Sequence, residues 1–195
     1  MARQAGANGE TTARAIRQES LKLFARHGYD AVSMRQIASA VGVQASALYQ
    51  YFPTKQQILV TLMKEHMEEL LTAYAKERQD GEMPRAALTR FARFHIRHHI
   101  ARADAVFISY MELRALEPEG FAIVEALRKT YEGELKSILA NGAEAGEFRL
   151  EEPHVAAMAI LAMLTGVNTW YRTGGRLSRE KIEDIYQEMV LKSVL

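Results

Sequence analysis

The chain has 195 residues, 48% of them apolar, and a formal net charge of +1 at neutral pH, enough for one well-packed domain or a small domain fused to a larger one. It has no cysteine, which excludes a disulfide framework and thiolate metal sites. No apolar run approaches the roughly 18 residues of a membrane span, and the stretch MARQAGANGE lacks the apolar core of a signal peptide, so a soluble, cytoplasmic protein with no membrane partner is expected. Residues 1–60 hold seven Lys or Arg against three acids. A basic N-terminal third on an acidic remainder is the asymmetry expected where one end of a molecule meets phosphate.

Residues 1–9 are small and polar and read as a mobile arm, in which Arg3 either reaches DNA or, the plainer alternative, frays without function. A first helix is predicted from Thr11 or Thr12 to His27, with Ile16, Ser20, Leu21, Leu23 and Phe24 available to pack. Its Arg14, Arg17 and Lys22 either lie near phosphates or form a solvated face. Gly28-Tyr29-Asp30 ends it, and Ser33 is a natural N-cap for the next helix.

From Ser33 to Lys55 the chain reads as two short helices, near Ser33 to Ala40 and Ala45 to Tyr51, joined by a turn at Val41-Gly42-Val43. Ile37 and Ala38 face inward, Gly42 permits the turn, and Val43, Leu48 and Phe52 close a small core. That is a helix-turn-helix, a device for placing a helix in the DNA major groove. On the second helix Ser46 and Gln50 lie opposite Leu48, flanked by Ala45 and Tyr49 on one side and Ala47 and Tyr51 on the other. A Gln amide can pair with adenine and an Ala methyl can meet the thymine methyl. Tyr49 and Tyr51 can donate to phosphates and Lys55 can add a point charge. The competing reading is a wet helix on a packed three-helix unit, in a helical binding or scaffold protein whose helix-turn-helix is structural only.

The run Ser33-Met34-Arg35-Gln36-Ile37-Ala38, then Val41-Gly42-Val43, then Leu48-Tyr49-Gln50-Tyr51-Phe52, then Thr54-Lys55 before Ile58-Leu59, resembles the DNA-binding signature of the TetR family of transcriptional regulators. Leu23-Phe24 and Gly28-Tyr29 resemble that family's first helix and the turn after it. Ser33 stands where the family often has Thr, and Pro53-Thr54 where it often has a small polar pair. The resemblance implies an all-α fold: a three-helix helix-turn-helix DNA-binding domain (1–55), then a larger helical ligand-binding and dimerisation domain (56–195). It also implies that Arg35 can reach a guanine, against which a phosphate contact stands as the alternative. The DNA-binding candidates are Ser33, Arg35, Gln44, Ala45, Ser46, Ala47, Tyr49, Gln50, Tyr51 and Lys55.

After Lys55, Ile58, Leu59, Leu62, Met63, Met67, Leu70, Leu71 and Tyr74 recur at helical spacing to about Gln79, a linker able to transmit movement. Asp80 to Pro84 breaks that helix. In the next, to about Ala103, Arg90, Arg93 and Arg97 share one side, while Leu88, Phe91, Ala92, His95, His99 and Arg102 share the other. Polar groups on a core-facing stripe require partners. His95 and His99 either line a ligand cavity, bind a metal through their i, i+4 spacing, or are satisfied core histidines; no Cys or acidic third ligand accompanies them, and neither metal nor cofactor is expected.

Asp104 to Leu116 carries Phe107, Tyr110, Met111 and Leu113, and a helix from about Phe121 to Gly142 carries Val124, Leu127, Tyr131, Leu135, Ile138 and Leu139. Such stripes are core, or the lining of a pocket for a largely apolar effector. The ligand candidates are Phe91, His95, His99, Arg102, Phe107, Tyr110, Met111, Leu127, Tyr131 and Trp170. Gly146 to Leu150 is a short link. From His154 to Arg172 a helix is apolar almost all round and rich in small residues, and the last helix, Arg179 to about Val194, is amphipathic. Two such helices from each of two chains would make a four-helix homodimer interface. The stretch Trp170 to Ser178 resembles a subset of the family linked to fatty-acid, steroid or other acyl-CoA catabolism, with Arg102, Arg172 and Arg176 as candidates for CoA phosphates; a glycine-terminated helix followed by a Ser178 N-cap is the plainer alternative. No phosphate-cradling glycine loop or nucleophile beside a base is evident, so an enzyme is not expected. The expected function is a ligand-responsive repressor released from a palindromic operator by a small effector.

Overall fold

The computed structural model describes the backbone of residues 2–195 and the side chains of residues 9–195. Among the described residues it is helical without strands, as the all-α expectation requires. The first helix, α1 (Ala2–His27), starts well before Thr11. The expected arm is helical backbone instead, since Ala2, Arg3, Gln4 and Ala5 are all good helix formers. The Arg3 side chain lies outside the described residues.

The chain divides into two compact units, Met1–Met67 with Asp104–Glu125, and Glu68–Ala103 with Ala126–Leu195. Their boundaries are not those of a 1–55 and 56–195 division. The reason is apolar: Ile108 and Val124, from the second half of the sequence, join Ile16, Phe24, Ile37, Leu48, Phe52 and Ile58 in one core. The helices α2 (Met34–Val41) and α3 (Ala45–Tyr51) belong to this first unit, as do the start of α4 (Lys55–Glu77), most of α6 (Ala103–Met111), a single 3-10 turn at Leu113–Ala115, and the start of α7 (Pro118–Glu144). Close approach of α7 to α4 needs a bare α-carbon at Gly120, where a Cβ would fall 2.5 Å from Cγ2 of Val60.

In the second unit, α5 (Pro84–Ile100) is packed by α8 (Pro153–Thr165), α9 (Val167–Trp170) and α10 (Arg179–Lys192). Covered by several partners, α5 buries Leu88, Phe91, Ala92, Phe94, His95, Ile96, His98 and His99. The single helix expected over 154–172 is divided at Gly166. Ser178 caps α10 by accepting from the Lys181 amide at 3.2 Å. Among the described residues no helix is long and apolar enough to cross a membrane.

Candidate functional site

The DNA-reading candidates sit where local chemistry directs them. Ser33 and Gln36 form a reciprocal capping box: the Gln36 amide donates to Ser33 Oγ at 3.3 Å, and the Ser33 amide to Gln36 Oε1 at 2.7 Å. Gly42 ends α2 in the left-handed region, φ 80°, with its turn secured by Val43 N donating to Ala38 O at 3.0 Å. Leu48 is fully buried and fixes the rotation of α3. Ser46, Gln50, Tyr49 (48% exposed) and Tyr51 (38%) therefore face outward, with Ala45 and Ala47 half-buried beside them. Gln44 precedes α3 without spending its side chain on a cap, and Arg35 is exposed in the first turn of α2.

Lys55 is held by main-chain groups. Its ammonium donates to the carbonyls of Tyr29 at 2.8 Å and Val32 at 2.9 Å, and lies 4.1 Å from the centre of the Tyr29 ring. A half-buried lysine holding two main-chain carbonyls and an aromatic face has its charge already answered. It clamps the α1–α2 connection, a structural role beside the phosphate contact expected from the sequence.

The ligand candidates divide between the two units. Phe91, His95, His99 and Tyr131 come together in the second, with Tyr74. Phe91 stacks on Tyr131 at 5.2 Å between ring centres, Tyr74 meets both rings edge-on at 5.3 and 5.9 Å, and His95 stacks on His99 at 3.8 Å. His95 Nδ1 is 3.2 Å from the Tyr131 hydroxyl and Nε2 is 3.0 Å from Thr165 Oγ1. Both ring nitrogens of His95 are thus engaged by hydroxyls that can donate or accept, which meets the need of a buried imidazole for partners. Among the described residues no three His, Cys, Asp or Glu side chains gather as metal ligands. Burial pushes the Tyr74 hydroxyl up to about 12.

The remaining ligand candidates lie elsewhere. Phe107, Tyr110 and Met111 are exposed on α6 in the first unit, because α6 buries its opposite stripe, Val106, Ile108 and Ser109. Arg102 is paired with Glu69. Leu127 is half-buried, and Trp170 is 50% exposed and stacked on Tyr186.

Two features escaped sequence reasoning. His98 is buried along with His95 and His99, since α5 is covered on more than one face. On the arginine side of α5, Glu183 of α10 is buried with Arg97 Nη1 at 3.2 Å and Arg93 Nε at 3.6 Å. Arg179 Nε is 3.3 Å from its other oxygen, near enough to pair charges but misaligned for a hydrogen bond. Burial holds the Glu183 carboxyl above its ordinary range despite these cations. A groove of about 700 Å³ runs beside the stripe, lined by Glu77, Met83, Thr89, Arg90, Arg93 and Arg97 among others. Its Arg90, Arg93 and Arg97 are already ion-paired.

Residues 16–62 match the family model for bacterial regulatory proteins of the tetR family, and residues 81–194 match the tetracyclin repressor-like C-terminal domain. The HTH-type transcriptional repressor KstR2 of Mycolicibacterium smegmatis is 26% identical over 180 residues, covering 91% of this chain and 87% of that protein. A tetR-family regulatory protein from Rhodococcus RHA1 superposes with a TM-score of 0.89 at 26% identity, covering 94% of this chain and 96% of the other. AibR, solved with isovaleryl coenzyme A and operator DNA, superposes with a TM-score of 0.81 at 27% identity, covering 91% and 97%. With matches over both the helix-turn-helix and the C-terminal region, the chain belongs to the TetR family of DNA-binding transcriptional regulators.

Proposed function

We propose that this regulator is a repressor that leaves a palindromic operator when a small, largely apolar effector binds, and that the effector is an acyl-CoA-type metabolite. One observation carries the operator half: Leu48 is fully buried while the uncharged Ser46, Tyr49, Gln50 and Tyr51 of the same short helix face solvent. An uncharged amide and small side chains suit base edges, and the tyrosines and Arg35 suit the rim, where phosphates fix register.

The effector half rests on the ring cluster of Tyr74, Phe91, His95, His99 and Tyr131. If these packed rings part to admit it, an acyl chain would meet aromatic walls, and the Tyr131 and Thr165 hydroxyls with the His95 ring are convergent polar groups for a thioester carbonyl. Isovaleryl coenzyme A in AibR is a precedent from a relative. Arg172 and Arg176, exposed after α9, are the cations for its phosphates.

Operator half-sites call for a dimer. Val155, Ala159 and Ala162 are exposed along one face of α8 and Met189 is exposed on α10, a small-residue surface for two helices of a second copy. Chain connectivity supplies the coupling: His99 on α5 lies five residues before Asp104, where the chain enters the unit that carries α2 and α3. An effector releases DNA only by as much as it prefers the released conformer, and roughly 5.5 kcal/mol moves such a population from 99:1 to 1:99.

The test is mass spectrometry of small molecules copurifying with the protein, followed by titration of isovaleryl coenzyme A, longer acyl-CoA esters and the free acids into the protein–DNA complex. Release by a CoA ester and not by its free acid is expected. Complexes that every ester leaves intact or tightens would refute the reading.

A further inference from the structure

We infer that Glu112, which lies outside the helix-turn-helix in the sequence, is a positioning residue for the DNA-reading head. The inference rests on the reading of this protein as a sequence-specific DNA binder. It starts from the α1–α2 connection, which must deliver Ser33 to its capping position and Arg35 to the exposed first turn of α2. Gly28 opens that connection at φ 82°, where a side chain is strained, and Glu112 Oε1 lies 3.6 Å from the place a Cβ would occupy.

The peptide of Tyr29 is then held from both ends by opposite charges. Its N–H donates to Glu112 Oε1 at 3.0 Å, and its carbonyl accepts from Lys55 Nζ at 2.8 Å. Lys55 also takes the Val32 carbonyl, one residue before the Ser33 cap. The Tyr29 ring packs edge-on against Phe24 at 5.2 Å, and Gln56, next to Lys55, ties the same region to the incoming segment. Gln56 donates to the Ala115 carbonyl at 2.6 Å and accepts from the Glu117 amide at 3.3 Å. Lys55 and Gln56 belong to α4, which follows the reading helix directly. Glu112, Ala115 and Glu117 belong to the segment that arrives from the other half of the sequence. The α1–α2 connection is thus gripped between α4 and that segment, and Glu112 supplies the acceptor without which one side of the grip opens. Its part depends on an oxygen at the right place, which a Gln amide keeps while giving up the charge assistance.

Full-length protein is tested on a duplex enriched from a random pool by the unmodified protein and on a scrambled duplex of the same length, by fluorescence anisotropy at one salt concentration. Glu112→Ala is expected to lose about tenfold on the enriched duplex, the scale of a lost charge-assisted hydrogen bond, and to stay within about twofold on the scrambled one, where phosphate contacts dominate. Glu112→Gln is expected to fall between the unmodified protein and Glu112→Ala, losing about threefold on the enriched duplex, and to stay within about twofold on the scrambled one. Unchanged discrimination in Glu112→Ala, or an equal loss in Glu112→Gln, overturns the inference while leaving the DNA-binding reading intact; an unmodified protein that enriches no duplex overturns both. Hydrogen exchange in the unmodified protein gives the result without any variant: the Tyr29 amide is expected to be as protected as that of Leu48, and exchange at the rate of an open loop overturns the contact.

Discussion

Replacing Gly120 with alanine inserts one methyl carbon 2.5 Å from Cγ2 of Val60 and 3.7 Å from Cδ2 of Leu116. Val60 is β-branched and stiff about χ1, so it yields only by shifting its helix or leaving its rotamer. Overpacking of this kind costs about 1–3 kcal/mol, and alanine's better helix propensity returns about 0.5–1 kcal/mol. The net expectation is a loss of about 1 kcal/mol, a fall in Tm of about 2–4 °C for a chain of this size. Gly133, on the same helix, has nothing within 4 Å of a built Cβ. There the same substitution is expected to raise stability by about 0.5–1 kcal/mol. In a Val60→Ala background the clash is gone, and Gly120→Ala turns stabilising. The assay is thermal and urea unfolding by circular dichroism at one fixed protein concentration, because the Tm of the proposed dimer depends on concentration. If Gly120→Ala stabilises as much as Gly133→Ala in the unmodified background, the close approach of α7 to α4 is refuted.

Three further outcomes are expected. Lys55→Met should lower Tm by orphaning the Tyr29 and Val32 carbonyls, yet leave the slope of log affinity for DNA against log salt unchanged; a slope smaller by about 0.9 would show Lys55 to be a phosphate contact. His95→Ala should cost about 2–4 kcal/mol by leaving a cavity and unpairing the Tyr131 and Thr165 hydroxyls; a copurifying effector should be lost while enriched-duplex binding persists, and retention of both effector and stability would contradict the cluster. Tyr74 carries its proton up to about pH 12 when folded, against about 10 when unfolded. Its contribution is therefore fully present below pH 10 and is lost as pH rises from 10 through 12, by up to about 1.4 kcal/mol per unit. Tyr74→Phe should flatten the fall in unfolding free energy over that window, and equal slopes in the two proteins would show the hydroxyl to be solvated.

The reading head was legible because its determinants are local. Ser33 and Gln36 are three residues apart, Gly42 fills a left-handed position, and Leu48 alternates with outward residues at helical spacing, so pattern and cap chemistry point to one answer. What escaped the sequence depends on which segments meet. The apolar stripe of α6 resembled pocket lining, but no spacing says that its Ile108 completes the core around Phe24 and Ile37 while Phe107, Tyr110 and Met111 stay outside. Lys55 and Glu112 were hidden for a related reason, since each is partnered by main-chain groups, which carry no residue signature. For the histidines of α5, what the sequence could not supply is the partners that burial requires, which His95 finds in Tyr131 and Thr165. Those partners lie 36 and 70 residues away in the chain.

The most direct test of the account is enrichment of a random duplex pool by the full-length protein, with sequencing of what it retains. An inverted repeat whose half-site centres lie about one helical turn, ~34–36 Å, or a multiple of it apart is expected, bound with an affinity that falls steeply with salt. A retained pool indistinguishable in sequence from the input would contradict the assignment of Ala45, Ser46, Ala47 and Gln50 as a base-reading surface with Tyr49 and Tyr51 at its rim.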